Sequence, residues 1–343
     1  MTTDLDETIA RSRDWRSFVL NNGLYMFLIA LLAIIIAINP SFFRPQNFIT
    51  ILTQSCTRIM LALGVAGIIV LGCVDLSLGR NMGMAAIVAC SLLQRVGYSQ
   101  RIFHNLPRLP VILPIVLVMV LCCLFLVAIA LIVTKLKVEA FITSLGFALI
   151  IYGLESLYVD RLNDSSPIGG LDPAFSRFAQ GAIEIQTFRI PYLILYAAVV
   201  IAAVWLIWHK TVLGKNMFAI GGNIEAATVS GVNIVFNSVL VFIIAGMLYG
   251  FSGALEGART GSVTNLLGEG YELDAIAACV VGGVSLRGGV GSIAGVVTGV
   301  ILFQIINYGL VYIGVNPYIQ YSVKGLIIVL AIIIDSQKYI KRR

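Results

Sequence analysis

Residues 111–134 read VILPIVLVMVLCCLFLVAIALIVT, a run without one charged group. About 20 consecutive apolar residues cross the hydrocarbon core of a bilayer as a helix. A run this long and this uniformly apolar therefore reads as a membrane span. Working outward, similar runs fall at 24–38, 49–72, 80–94, 138–159, 190–208, 238–258, 273–286, 292–313 and 319–335. The pattern predicts an all-α polytopic membrane protein of about ten transmembrane helices. The runs at 24–38, 80–94 and 273–286 are short for a crossing and predict tilted, broken or re-entrant helices.

Composition agrees. Of 343 residues, 59% are hydrophobic and 12% charged, against about 45–50% and 25% in soluble domains. Ten spans consume about 200 residues, and the remainder is too little for a sizeable soluble domain. The expected layout is a cytoplasmic tail at 1–23, a transmembrane domain at 24–337 and a basic cytoplasmic tail at 338–343. Within the domain, 160–189 reads as an outer loop and 209–237 as the longest cytoplasmic loop.

The net charge of +6 is spread in short basic clusters between apolar runs. With both termini inside, 13 of the 23 basic residues fall on the cytoplasmic side and eight outside, as the positive-inside rule expects. That count places Arg80 in an inner loop and Arg44, Arg95, Arg101, Arg108, Arg161, Arg177, Arg189 and Arg259 outside. No basic stripe is interleaved with aromatics, so nucleic acid is not an expected partner. The six cysteines show no CxxC spacing and the two histidines, His104 and His209, stand alone, so no metal site is expected.

Small residues recur four apart at Gly79/Gly83, Gly246/Gly250 and Gly291/Gly295/Gly299. Each series gives one helix a smooth strip for close packing against another. Gly289-Val290-Gly291-Ser292-Ile293-Ala294 matches a dinucleotide fingerprint, but no βαβ context surrounds it. Gly214-Lys215 is followed by Asn216, so no phosphate-binding loop is present either.

Two interruptions stand out: Gly72-Cys73-Val74-Asp75-Leu76-Ser77-Leu78-Gly79 and Gly282-Gly283-Val284-Ser285-Leu286-Arg287-Gly288-Gly289. They read either as tight turns between hairpin helices or as paired breaks of a transport pathway built on an internal repeat of two halves. Arg58, Asp75, Glu155, Glu256 and Lys324 are read as the intramembrane charges. Such residues are costly in lipid and often functional. An ion-coupled secondary transporter of a small polar solute is the alternative reading, although carboxylates are scarce for it.

In the cytoplasmic loop, Gly221-Gly222-Asn223 precedes Ile224-Glu225-Ala226-Ala227-Thr228-Val229-Ser230-Gly231-Val232. Asn223 can cap a short helix that Gly231 stops. This loop resembles the Glu-Ala-Ala coupling segment of ABC importer permeases, in the glycine-ended version of ribose/galactose-type sugar permeases. The resemblance runs over about 24–340. It includes Ile51-Leu52-Thr53-Gln54-Ser55, Ala62-Leu63-Gly64-Val65-Ala66-Gly67 and Asp75-Leu76-Ser77 in the first half. Tyr271–Ser285 and Ile305-Ile306-Asn307-Tyr308-Gly309-Leu310 carry it in the second. Ile313–Tyr321, Ser166-Pro167-Ile168 and Phe178–Gly181 are most like the galactose/methyl-galactoside branch. Ile224 in place of the usual proline and Leu267-Gly268-Glu269-Gly270 depart from the pattern.

The resemblance implies a permease subunit of an ABC importer in the bacterial plasma (inner) membrane, with galactose or methyl-galactoside as favoured cargo. It implies no catalysis by this chain. ATP and magnesium would be bound by a separate ATPase subunit, and an external sugar-binding protein, periplasmic or lipid-anchored, would deliver cargo to a homodimer. Gly221, Asn223, Glu225, Ala226, Ala227 and Gly231 would form the coupling helix. Asp75, Ser77, Asn307, Tyr308, Asn316, Tyr318 and Gln320 are expected along the sugar pathway.

Overall fold

The computed structural model describes residues 29–185 and 188–340. The tail at 1–23, the start of the first run and residues 341–343 lie outside the described residues. Each of the ten apolar runs contains a helix. These are α1 (Ile29–Ile38), α2 (Pro45–Val70), α3 (Leu78–Leu92), α4 (Ile112–Lys135) and α5 (Ala140–Asn163), then α7 (Tyr192–Lys210), α10 (Ile234–Thr260), α11 (Tyr271–Val281), α12 (Ile293–Tyr312) and α13 (Pro317–Ile340). Six of them, α2, α4, α5, α7, α10 and α12, are long and apolar enough to cross a membrane. This is the pattern of a multi-pass membrane protein.

Two of the expected loops are folded. The 160–189 segment holds helix α6 (Pro173–Gln180) and strand β1 (Ala182–Ile185), which pairs antiparallel with β2 (Phe188–Pro191). The fold is therefore almost, but not wholly, helical. In 209–237 the structure has two helices where the sequence suggested one. Helix α8 (Val212–Gly222) precedes α9 (Ile224–Val229). Helix α8 survives its glycines because Thr211 caps it and Gly214, Met217 and Ile220 are buried.

The chain divides into two compact units, one running from Leu52 to Ile301 and the other formed by the segments before and after it. The boundaries pass through α2 and α12. In the larger unit α10 is the central helix, packed on α3 and α4. The glycine strips are what permit this. A Cβ at Gly246 would meet the Cys123 backbone at 2.8 Å, and one at Gly250 would meet Met119 at 2.6 Å. Gly299 and Gly295 of α12 lie likewise against the Ala278 and Gly282 carbonyls at the end of α11. All six cysteines are free thiols, and Cys90, Cys122 and Cys279 are buried in apolar surroundings.

The smaller unit gathers Ile35, Phe42 and Ile51 against Ile305, Tyr308, Tyr312 and Ile313. Tyr308 donates to Asn47 Oδ1 at 3.0 Å, and the Tyr312 and Ser41 hydroxyls bond at 2.7 Å.

Candidate functional site

The short helix α9 is defined by its caps. Asn223 has extended backbone, and its Oδ1 accepts from the Ala226 N–H at 2.9 Å. At the other end Gly231 adopts φ +80°, and the Gly231 and Val232 N–H groups bond back to Thr228 and Ala227 at 3.0 Å each. Only glycine enters that left-handed region without steric cost. Ala227 alone of the helix is buried, while Glu225, Ala226 and the neighbouring apolar Ile224 and Val229 are exposed, Val229 to 89%. The helix therefore presents apolar side chains at the surface.

The corner between α8 and α9 touches both chain breaks at once. The Gly289 N–H donates to the Val70 carbonyl at 2.8 Å, which ties the second break to the first. Gly221 sits on that bond. A Cβ there would overlap Val70 O and stand 2.6 Å from Gly289 N. A Cβ at Gly288 would meet Gly221 O and Gly72 N, each at 2.8 Å, and one at Gly289 would meet Gly222 Cα at 2.7 Å. Three segments far apart in sequence thus share one backbone-to-backbone node.

The first break continues as extended chain to α3. Asp75 Oδ1 accepts from the Ser77 N–H and hydroxyl at 2.8 and 2.6 Å, and Asn81 donates to Ser77 O at 3.1 Å. Leu76 N–H donates to Ser144 Oγ of α5 at 3.0 Å. Asp75 and Ser77 are fully buried and hold the start of α3 in place. That start meets the start of α11: a Cβ at Gly79 would overlap Gly268 O and Glu272 Oε2. The divergent segment 267–270 is therefore packed into the unit against α3.

The isolated charges are all engaged. Arg80, in the first turn of α3 rather than in a loop, approaches Glu155 at 3.5 Å and Glu269 at 3.7 Å and donates to Asn265 O at 3.2 Å. Its guanidinium lies 4.2 Å over the Tyr152 ring. Arg58 pairs with Asp274 at 3.3 Å and covers Tyr271 at 4.3 Å. Glu256 takes a forked pair from Arg259 at 2.9 and 2.7 Å, and the Thr57 hydroxyl at 2.9 Å. Tyr152 and Glu272 are not singled out by the sequence, and Arg80 reads there only as a loop charge. The pointer was Glu155, whose presence in a span demands a nearby cation.

Of the expected pathway residues, Asp75 and Ser77 adjoin each other in the larger unit. Asn307, Tyr308, Asn316, Tyr318 and Gln320 belong to the other. There Tyr308 is engaged by Asn47, as described. Asn316 caps α13 through the Tyr318 N–H at 2.9 Å, and Gln320 donates to Val315 O at 2.8 Å. Tyr318 is 81% exposed.

The 160–189 segment is latched by Arg108, which donates to both Asp172 oxygens at 2.8 and 2.9 Å. Asp172 also caps α6 through the Ala174 N–H at 2.8 Å. The hydrogen bond from Arg108, opposed by partial burial and reinforced by the Ala174 N–H, holds the Asp172 carboxyl below the usual carboxylate range. Gln180 at the far end of α6 donates to Ala258 and Arg259 carbonyls at 3.1 Å.

A family profile described as branched-chain amino acid transport system / permease component matches residues 47–332. The chain is 50% identical over 331 residues to the galactose/methyl galactoside import permease protein MglC of Escherichia coli (strain K12), covering 96% of this chain and 98% of that one. It is 50% identical over 322 residues to the protein of the same name from Haemophilus influenzae, covering 94% and 96%. It is 32% identical over 318 residues to the ribose import permease protein RbsC of Bacillus subtilis (strain 168), covering 92% of each. No solved structure matches it significantly.

Proposed function

The chain belongs to the permease family of that profile, and on this premise we propose that it is the membrane-spanning subunit of an ABC importer for a monosaccharide. Galactose or methyl galactoside is the cargo we favour, since the relatives at 50% identity carry that name and the ribose permease stands at 32%. The carrying observation is the exposed helix α9 joined through Gly221 to both chain breaks.

In this reading a separate ATPase, holding ATP and magnesium, receives α9 in a groove. Glu225, Ala226 and the flanking Ile224 and Val229 make the contact, while Asn223 and Gly231 keep the helix in register. ATP binding shifts α9, the glycine node carries the shift to the first and second breaks, and the pathway changes its open side. The motor can bias the two states only by the difference in its contacts with them. Two copies form the translocation unit, and an external sugar-binding protein loads it. The ten helices that follow the apolar runs each cross or enter the bilayer of the bacterial plasma membrane, with both termini in the cytoplasm. Asp75, Ser77, Asn307, Tyr308, Asn316, Tyr318 and Gln320 border the route or hold its walls.

The test is uptake of labelled galactose into proteoliposomes holding this chain, with and without the ATPase, the binding protein and ATP, in competition with ribose and xylose. Uptake that needs all three components and is competed best by galactose fits. Uptake that survives loss of the ATPase and collapses with an ionophore would replace this reading with an ion-coupled one.

A further inference from the structure

A cavity of about 210 Å³ lies beside the meeting point of α3 and α11. Its charged lining residues are Arg80 and Glu272, and the rest of the lining includes Tyr152 and the leucines Leu76, Leu145 and Leu273. Few placed polar groups in a mostly apolar concavity are the usual composition of a small-molecule site. The polar groups are preset. Arg80 is braced by Glu155, Glu269 and the Asn265 carbonyl and lies over Tyr152. Glu272 is the second residue of α11, and its carboxylate reaches back to Gly79 of α3. The first turns of both helices meet here.

We propose that this cavity binds one pyranose during transport, with Arg80 and Glu272 on its hydroxyl edge and Tyr152 and the leucines against its C–H face; this rests on the sugar-importer reading above. A ring sugar is neutral, carries vicinal hydroxyls that both donate and accept, and has one apolar face. A guanidinium and a carboxylate lining the same concavity offer a diol a donor and an acceptor. A bare cation fits worse, because Arg80 occupies the acidic side, and no group of three or more His, Cys, Asp or Glu among the described residues could hold a metal ion. The cavity also opens next to the first break at Leu76, so the node that α9 moves reaches its wall within a few residues.

The experiment uses the complete complex in proteoliposomes and compares wild type with Glu272→Gln and Leu273→Trp. Two readouts are taken: uptake of labelled galactose over a concentration series of loaded binding protein, and ATP hydrolysis stimulated by that protein. Glu272→Gln keeps the shape and removes a charged acceptor, so uptake is expected to fall tenfold or more, with altered preference among deoxygalactose competitors. Leu273→Trp fills the cavity and is expected to block uptake. Stimulated ATP hydrolysis stays within about twofold in both variants, because the docking side is untouched. Unchanged uptake and competitor preference overturns the proposal. Joint loss of uptake and stimulated hydrolysis also overturns it, because the residues are then structural. Absence of galactose uptake in the wild-type complex refutes instead the importer reading on which it stands.

Discussion

Gly221→Ala adds one methyl group at the node where three chain segments meet. The added carbon would overlap the Val70 carbonyl oxygen and lie 2.6 Å from Gly289 N and 2.9 Å from Val70 C. These are backbone atoms, so no rotamer change relieves the clash. Overpacking of this kind costs about 1–3 kcal/mol. Pushing Val70 and Gly289 apart also breaks their 2.8 Å hydrogen bond, and a buried group left unsatisfied costs about 1–3 kcal/mol more. The combined penalty is about 2–6 kcal/mol, well above the 1.4 kcal/mol that changes an equilibrium tenfold. Gly222→Ala is the internal control: one residue along, an added Cβ meets nothing within 4 Å. Each variant is reconstituted with the ATPase and the binding protein. Thermal unfolding of the purified complex is followed beside uptake and stimulated ATP hydrolysis. Gly221→Ala should unfold at lower temperature and lose most coupled uptake, while Gly222→Ala should match wild type. Equal unfolding temperatures and equal uptake in the two variants would refute the node as described.

Gly231→Arg forces an L-residue to φ +80°, at about 1–2 kcal/mol, and puts a large charge beside α9. Uptake should vanish while the protein still reaches the membrane in normal amount, and normal uptake would count against docking through α9. Asn223→Ala removes the cap of α9 and should cost about 1 kcal/mol, read as faster proteolysis of 223–232 and reduced ATPase stimulation. Arg259→Met leaves the buried Glu256 carboxylate without its forked partner and should destabilise by about 3–5 kcal/mol in a thermal melt, the range for a broken buried pair. The Asp172 carboxyl is held below the usual carboxylate range by Arg108. Its contribution is therefore complete at neutral pH and is lost as pH falls through that lowered value. Protease protection of residues 160–185 should drop on acidification below about pH 4. Asp172→Asn should remove that dependence and lower protection at pH 7.

The parts of this fold that are legible in the sequence are those fixed by nearby residues. Each of the ten apolar runs contains a helix, because water and lipid sort side chains by composition alone. Asn223 and Gly231 read correctly as the ends of α9 because caps depend on residues within one turn. The strips Gly246/Gly250 and Gly295/Gly299 announce close helix packing, and the structure places them against α4 and α11. The 209–222 stretch hides a helix because its glycines and lysines look like a loop, and burial of Met217 and Ile220 decides otherwise. Arg80 reads as a loop charge for a similar reason: its partners Glu155, Asn265 and Glu269 arrive from other parts of the chain. The spacing of the two breaks suggests that they are related, but nothing local says that they touch or that α8 and α9 join them. Gly221 and Gly222 carry the distinction in its smallest form. They are the same residue type at adjacent positions, yet one closes on a carbonyl and an amide from two distant segments while the other faces open space. A substitution that separates them responds to the tertiary node and not to composition or propensity, since those are shared. The paired variants therefore interrogate the one feature of the mechanism that no reading of the residues in order could supply.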